Sequence, residues 1–277
     1  MANVRQSLYL GILLLLAFTQ LSHTISQKSE TKPRGRVVGG TDAAVNSAPY
    51  IVSFQQNGVH YCAGSILNAN WILTAAHCLS SSTQAMSTTL VAGSNNVGTN
   101  NNVGTTQTRS IDYFVVNDLY LGGTSPYDIG LVYTKTVFQW SDAVAAITLP
   151  SSGVVPTGNA NLYGWGSVST TTTASYPTVL QVATVPIISL DTCESALGTD
   201  VHTTNLCTGP LTGGVGICTS DSGGPLVQQV NNVNVLIGIV SWGKLPCGQS
   251  NSPSVYVQVS SFISWIAQNQ VVPSSLR

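Results

Sequence analysis

The sequence holds 277 residues, enough for one large domain or two small ones, and 43% of them are hydrophobic, ample for a sizeable core. Only 7% are charged, against about 25% in ordinary soluble domains, so solubility rests on Ser, Thr, Asn and Gln. A net charge of −1 with no basic stripe argues against a nucleic-acid-binding surface.

The chain opens on Arg5 and an apolar run, Leu8 to Phe18, of 11 residues. A spanning helix needs about 20, so the run is short for a membrane anchor and fits a secretory signal. Small residues at Ser22 and Thr24 suit cleavage after Thr24, giving a signal peptide over 1–24. No second long apolar run follows, and the product is expected to be secreted, with no membrane partner. Residues 25–36 carry Lys28, Lys32, Arg34 and Arg36; taken alone they read as a solvated linker. From Val37 onward four basic residues face nine acidic ones, a net charge of −5.

Beyond Val37 the text is all-β, with short Val/Ile/Thr/Tyr-rich runs alternating with Gly, Asn and Ser punctuation. The predicted strands include Tyr50–Phe54, Ser65–Leu67, Trp71–Thr74, Thr89–Ala92, Asn161–Tyr163 and Val235–Trp242. Many short strands at this spacing suggest a sandwich or a barrel. Two polar tracts, Ser80–Thr108 and Ser167–Ser175, read as mobile surface loops. The first contains no Asp or Glu, so it offers calcium no carboxylate. Only the tail, Ser260–Gln270, has helical spacing, with Phe262, Ile263, Ile266 and Ala267 on one face behind a Ser260 or Ser261 cap. Six cysteines in an oxidising compartment imply disulfides, in any of 15 pairings. They include no C-x-x-C pair, so zinc is not expected. No metal and no cofactor is called for.

Three segments carry chemistry: T-A-A-H-C (Thr74–Cys78), Y-D-I-G-L (Tyr127–Leu131) and C-T-S-D-S-G-G-P (Cys218–Pro225). A serine hydroxyl is a weak nucleophile unless a base takes its proton and a third group orients the base. Alone, each segment has a bland reading: a packed His, a turn Asp, a Gly-rich loop. Together, in the order His, Asp, Ser, they resemble the chymotrypsin-like (trypsin family) serine proteases, a resemblance covering Val37 to about Gln270.

The resemblance implies two six-stranded antiparallel β-barrels packed together, about 37–150 and 151–277, with a C-terminal helix. It implies His77 as general base, Asp128 as its orienting acid and Ser222 as nucleophile. The backbone N–H groups of Ser220 and Ser222 would form the oxyanion hole. R-V-V-G-G (Arg36–Gly40) looks like the family's activation site, making 25–36 a propeptide whose cleavage after Arg36 frees the Val37 amine to pair with Asp221. The implied disulfides are Cys62–Cys78, Cys193–Cys207 and Cys218–Cys247. The implied substrate pocket has Gly216 at its base, Gly243 and Ser254 at its walls and Ser241 beside the substrate backbone. Without an acid at Gly216, a strict Arg/Lys preference is not expected; uncharged aromatic or large apolar residues are. His23 falls in the leader, and His60 and His202 read as structural or surface residues.

One residue departs from the family: glycine is usual where this chain has Ser220. A backbone N–H survives the exchange, but a Cβ disfavours conformations that glycine tolerates. The leading expectation is a monomeric, secreted, zymogen-activated endopeptidase of digestive type. Its partners would be protein or peptide substrates, an activating trypsin-like protease and protein inhibitors, with no nucleic acid. The alternative is a weakly active or inactive homologue acting as a binding or regulatory protein.

Overall fold

A computed structural model describes residues 37–98, 104–199 and 201–274. The expected signal peptide over 1–24 and the expected propeptide over 25–36 therefore lie outside the described residues, as does 99–103 within the first polar tract. Among the described residues, fourteen strands fall into two antiparallel sheets. The first comprises β2 (Ile51–Gln56), β3 (Val59–Ile66), β4 (Trp71–Thr74), β5 (Thr89–Ala92), β6 (Gln107–Ser110), β7 (Tyr113–Val116) and β8 (Gly130–Tyr133). Its order is β6-β5-β2-β3-β4-β8-β7. The edge strands β6 and β7 are consecutive in the chain, with only Ile111 and Asp112 between them. This sheet curls as a half-barrel whose two edges are linked by a bend of the chain rather than by a ladder of hydrogen bonds.

The second sheet comprises β9 (Asn159–Gly164), β10 (Gln181–Ile188), β11 (Asn205–Thr208), β12 (Pro225–Val230), β13 (Val233–Gly243) and β14 (Ser254–Gln258). Here β10 pairs with both β9 and β11, so six strands close into a barrel. The two-residue β1 (Thr41–Asp42) adds to the edge of β10. The fold is all-β as expected, the closed barrel having the six predicted strands and the curled sheet seven.

Alternation along the strands fills each half. Leu162, Val185, Leu206, Leu226, Ile237 and Tyr256 pack inside the closed barrel. Phe54, Ile66, Leu73, Leu90 and Leu131 pack inside the curled sheet, in a core that runs on to Val227, Ile239, Phe262 and Ile266. Burying a side chain of this size contributes about 1.5–3 kcal/mol. The terminal helix is a 3₁₀ turn, Val259–Phe262, followed by α3 (Ile263–Asn269). Phe262 and Ile266 are buried as expected, but Ala267 is exposed and no serine caps the helix. Ser260 Oγ instead donates to Val154 O, which anchors the preceding loop.

Two further helices carry no apolar period in the sequence. The tract read as a surface loop contains α1 (Ser82–Met86), capped by Ser81 Oγ accepting from Gln84 N–H. The other, α2 (Leu190–Leu197), starts at Ser189, whose Oγ accepts from Thr192 N–H, and ends at Gly198 in a left-handed conformation. Disulfides join Cys62 to Cys78, Cys193 to Cys207 and Cys218 to Cys247. Among the described residues, no helix is long and apolar enough to cross a membrane.

Candidate active site

The first sheet contributes an acid and an imidazole. His77 lies in the 3₁₀ turn Ala76–Leu79 that follows β4, and the Cys78–Cys62 disulfide ties that turn to β3. Asp128 stands just before β8, where Ile129 N–H closes a tight turn onto Tyr127 O at 2.7 Å. Tyr127 takes a left-handed φ of 67° and packs its ring against His202 and Phe262. His202 is thus a structural residue, its Nδ1 paired with Thr204 Oγ1.

Asp128 is 1% exposed, and its carboxylate accepts three hydrogen bonds. They come from His77 N–H at 2.9 Å, His77 Nδ1 at 2.7 Å and the Ser241 hydroxyl at 2.7 Å. Because the carboxylate accepts at Nδ1, the proton of a neutral ring sits there and Nε2 keeps its lone pair.

The second barrel contributes the serine. Ala63 N–H donates to Ser222 O, and Gly223 N–H donates to Val240 O, so the segment is held between β3 and β13. A Cβ at Gly223 would lie 2.2 Å from Thr74 Oγ1 and 2.3 Å from Ala63 O. Only glycine lets this turn press against Thr74, at the start of the T-A-A-H-C segment that carries His77. Among the described residues, no hydrogen bond links Ser222 Oγ to His77. Such catalytic contacts are commonly long in unliganded enzymes and tighten with substrate.

Asp221 points the other way, into the protein, at 0% exposure. Its carboxylate accepts from Gly166 N–H at 2.8 Å and Cys218 N–H at 2.9 Å. Burial pushes its pKa up from 3.8 to about 7, against the opposing pull of those two donors. Space for it depends on G-W-G (Gly164–Gly166): a Cβ at Gly164 or Gly166 would lie 2.0 or 2.3 Å from Asp221. Val37 is fully buried, and its neighbour Val38 bridges to Gly216. Among the described residues no cation faces Asp221.

A cavity of about 160 Å³ opens beside Ser222, lined by Ile217, Thr219, Ser241, Trp242, Gly243 and Leu245 among others. Of the predicted pocket residues, Ser241 and Gly243 line it. Gly216 and Ser254 do not: Ile217 stands between them and the cavity, its N–H donating to Ser254 Oγ. The Ile217 side chain reaches to 3.4 Å from where a Gly243 Cβ would be, so an apolar floor crosses the expected pocket. Counting back from Cys218 locates Gly216 but does not reveal that the next side chain folds across it.

Three other residues escaped the sequence reading. Tyr120 lies near enough to Asp128 for burial and that charge to push its hydroxyl up to about 12. Lys244 is among the residues lining the cavity, and its ammonium donates to Leu197 O at the end of α2. His60 is structural, one of the two expectations for it, and what escaped were its partners: it hydrogen-bonds Ser53 and the carbonyl of Ser220. The two cysteines nearest His77, Cys62 and Cys78, are bonded to each other and offer no metal ligand.

An imidazole oriented by a buried carboxylate, and a serine beside a side-chain cavity, are the parts from which a serine endopeptidase is built. Comparison with known proteins agrees: the family described as Trypsin matches residues 37–266. The chain is 35% identical over 243 residues to the Lectizyme of Glossina austeni, covering 84% of this chain and 86% of that protein. It is 34% identical to Trypsin-1 of Astacus astacus, covering 85% of this chain and 100% of that one. Against Trypsin of Sus scrofa the identity is 34%, over 84% and 95% respectively. The chain belongs to the trypsin family and is a chymotrypsin-like serine endopeptidase.

Proposed function

We propose that the protein is a secreted, monomeric zymogen, with a signal peptide over 1–24 and a propeptide over 25–36. A trypsin-like protease activates it by cleavage after Arg36, and protein inhibitors bind the cleft of the mature enzyme. The mature domain, 37–277, cuts polypeptides after uncharged side chains. The observation that carries this reading is the Asp128 carboxylate, which holds His77 by both its backbone and its ring nitrogen while Ser241 saturates it.

In the reaction, Ser222 Oγ attacks the scissile carbonyl carbon and its proton passes to His77 Nε2. The carbonyl oxygen becomes an oxyanion, received by the N–H groups of Ser220 and Ser222. Collapse breaks the C–N bond as His77 returns the proton to the leaving amine, and water repeats the cycle on the acyl-enzyme. Asp128 stays ionised and stabilises the imidazolium. These roles are those of the general template for this chemistry, and the contacts of Asp128 with His77 and Ser241 support them here. One oxyanion donor is worth about 3–4 kcal/mol, or 10²–10³ in rate. Ser220 retains a left-handed φ of 73°, which supports a functional donor despite its Cβ.

Activation is proposed to act through Asp221. In the intact chain Val37 carries a peptide nitrogen, and a buried carboxylate with two N–H partners is left without a counter-ion. Val37 also takes a φ of 49°, a strained conformation for a β-branched residue, which chain cleavage releases. Cleavage supplies an ammonium with a reference pKa near 8, and a buried charge of either sign needs such a partner.

The Ile217 floor supports a preference for apolar side chains and gives a cation no partner. Few Lys or Arg residues after Val37 suit survival among trypsin-like enzymes, in keeping with an extracellular digestive role. Hydrolysis of a peptide panel by the chain before and after cleavage at Arg36 tests the proposal. Activity should appear on cleavage, vanish in Ser222→Ala, and favour Leu, Met or aromatic residues. Efficient cutting after Arg or Lys would refute the pocket assignment.

A further inference from the structure

We propose that the Leu121–Gly122 peptide bond is a self-cleavage site, cut by a second molecule of the same enzyme and limiting the lifetime of its activity. The proposal rests on the proposed preference for cutting after Leu, Met and aromatic residues. Among the described residues, six exposed side chains are of those types: Met86, Leu119, Leu121, Trp140, Tyr176 and Leu245. Five are protected by their surroundings. Tyr176 and Leu245 each precede a proline, whose ring replaces the N–H of the leaving nitrogen and crowds the place where His77 must deliver its proton. Met86 ends α1, where Ser87 N–H donates to the Thr83 and Gln84 carbonyls. Trp140 lies between Gln139, which exchanges hydrogen bonds with Gln107, and Ser141, which bridges to Val144. Leu119 N–H donates to Asn117 Oδ1, and the next N–H, of Tyr120, donates to Asn117 O.

Leu121 is the exception. It is 88% exposed, the highest value of the six, and residues 121–124 are all exposed. Among the described residues, neither the Leu121 carbonyl nor the Gly122 N–H makes a hydrogen bond. A Cβ on Gly122 or Gly123 would meet nothing within 4 Å, so nothing beside the bond obstructs an approaching cleft. A protease takes its substrate extended, and the loop must open to comply. Three hydrogen bonds hold it: Leu121 N–H to Ser125 Oγ at 3.1 Å, Ser125 N–H to Gly122 O at 3.2 Å, and Tyr120 OH to Gly123 O at 3.1 Å. Exposed loops held this sparsely open locally and are preferred sites of nicking.

The loop runs directly into Asp128, so it cannot enter its own cleft without pulling that carboxylate from His77. The cut is therefore made between molecules. Ser222 Oγ of one molecule attacks the Leu121 carbonyl carbon of another, and the C–N bond breaks as the Gly122 nitrogen takes a proton. Water then hydrolyses the Leu121 ester. The net change is one water added, giving a carboxylate at Leu121 and an amine at Gly122. No disulfide spans the cut: Cys62–Cys78 precedes it, and Cys193–Cys207 and Cys218–Cys247 follow it. His77 is left on one piece, with Asp128 and Ser222 on the other. The pieces are joined only by packing and by strand pairing such as β4 with β8 and β7 with β8.

The test incubates the full chain, cleaved after Arg36, and follows intact mass, fragment termini and peptide hydrolysis together. The first internal cut should yield 37–121 and 122–277, separable in denaturant without reductant. Doubling the concentration should halve the time to half-cleavage, and activity should fall in step with the intact chain. The Ser222→Ala chain should stay whole alone and be cut after Leu121 by a trace of active enzyme. Leu121→Glu should slow the loss of intact chain at least tenfold, with hydrolysis of a short peptide within threefold of wild type. Leu121→Asn, a milder change, covers the case in which Glu disturbs folding. A first cut elsewhere, or loss of the Leu121 variants at the wild-type rate, would overturn the proposal while peptide hydrolysis after Leu stands. Peptide hydrolysis only after Arg or Lys, or none that depends on Ser222, would overturn the proposed function and this site with it.

Discussion

Replacing Asp221 by Asn in the chain cleaved after Arg36 removes one negative charge from a fully buried position and changes almost no volume. The amide oxygen can still accept from Gly166 N–H, as Asp221 does at 2.8 Å. The amide nitrogen would then face Cys218 N–H, a donor against a donor, where the carboxylate accepts at 2.9 Å. The larger loss is the counter-ion of the Val37 ammonium. Leaving one partner of a buried pair uncompensated costs about 3–5 kcal/mol, which corresponds to roughly 10²–10⁴ in the population of the competent conformation. The assay is kcat/KM on a peptide substrate, with circular dichroism to establish folding. A folded Asn variant within threefold of wild type would refute the coupling between Asp221 and the cleft. In the uncleaved chain the sign is distinctive. The folded state holds the Asp221 proton up to about pH 7, whereas the unfolded state releases it near 3.8. The contribution of Asp221 to stability is therefore greatest below pH 4 and falls as pH rises to 7, by up to roughly 4 kcal/mol if Asp221 stays inward. Urea midpoints of the proform should decline across that window, and Asp221→Asn should flatten the decline.

Other expectations follow from single contacts. Gly166→Ala places a Cβ 2.3 Å from the Asp221 carboxyl carbon; the variant should be processed at Arg36 yet lose at least 100-fold in kcat/KM. Ser241→Ala removes one of three hydrogen bonds to Asp128. A hydrogen bond to a charged group contributes about 1.5–3 kcal/mol, so kcat should fall about 10- to 100-fold with KM little changed, which steady-state kinetics will show. Ile217→Ala lowers the cavity floor and should raise kcat/KM for Phe and Tyr relative to Leu across a peptide panel; no change in that ratio would show that Ile217 does not bound the pocket.

The sequence was most legible where chemistry demands particular residues together. His77, Asp128, Ser222, Asp221 and Ser241 all stand in short motifs; the structure joins His77 and Ser241 to Asp128 and turns Asp221 inward. The strands were legible because Val, Ile and Tyr alternate with turn residues. Thr89–Ala92 has the bounds expected, whereas Asn161–Tyr163 and Val235–Trp242 extend by one or two residues at each end. What escaped were features set by long-range neighbours. The helix α2 is too polar for an apolar period, though its Ser189 cap and Gly198 terminus were visible signals. Composition alone made a loop of Ser80–Thr108, yet Ser81 caps a short helix there. Ile217 and His60 escaped because their roles lie in direction rather than identity. One folds across the pocket, and the other meets a carbonyl 160 residues away. The Ser260 cap failed because the hydroxyl finds a better partner in Val154 O.

The central claim is that cleavage after Arg36 converts Ser222 into a nucleophile served by His77 and Asp128. Treating the intact and the cleaved chain with a fluorophosphonate, and locating the adduct by peptide mass mapping, tests it most directly. The account predicts a single adduct on Ser222, fast only after cleavage and at least 100-fold slower in His77→Ala. Labelling of another serine, or none in correctly cleaved and folded protein, would contradict it.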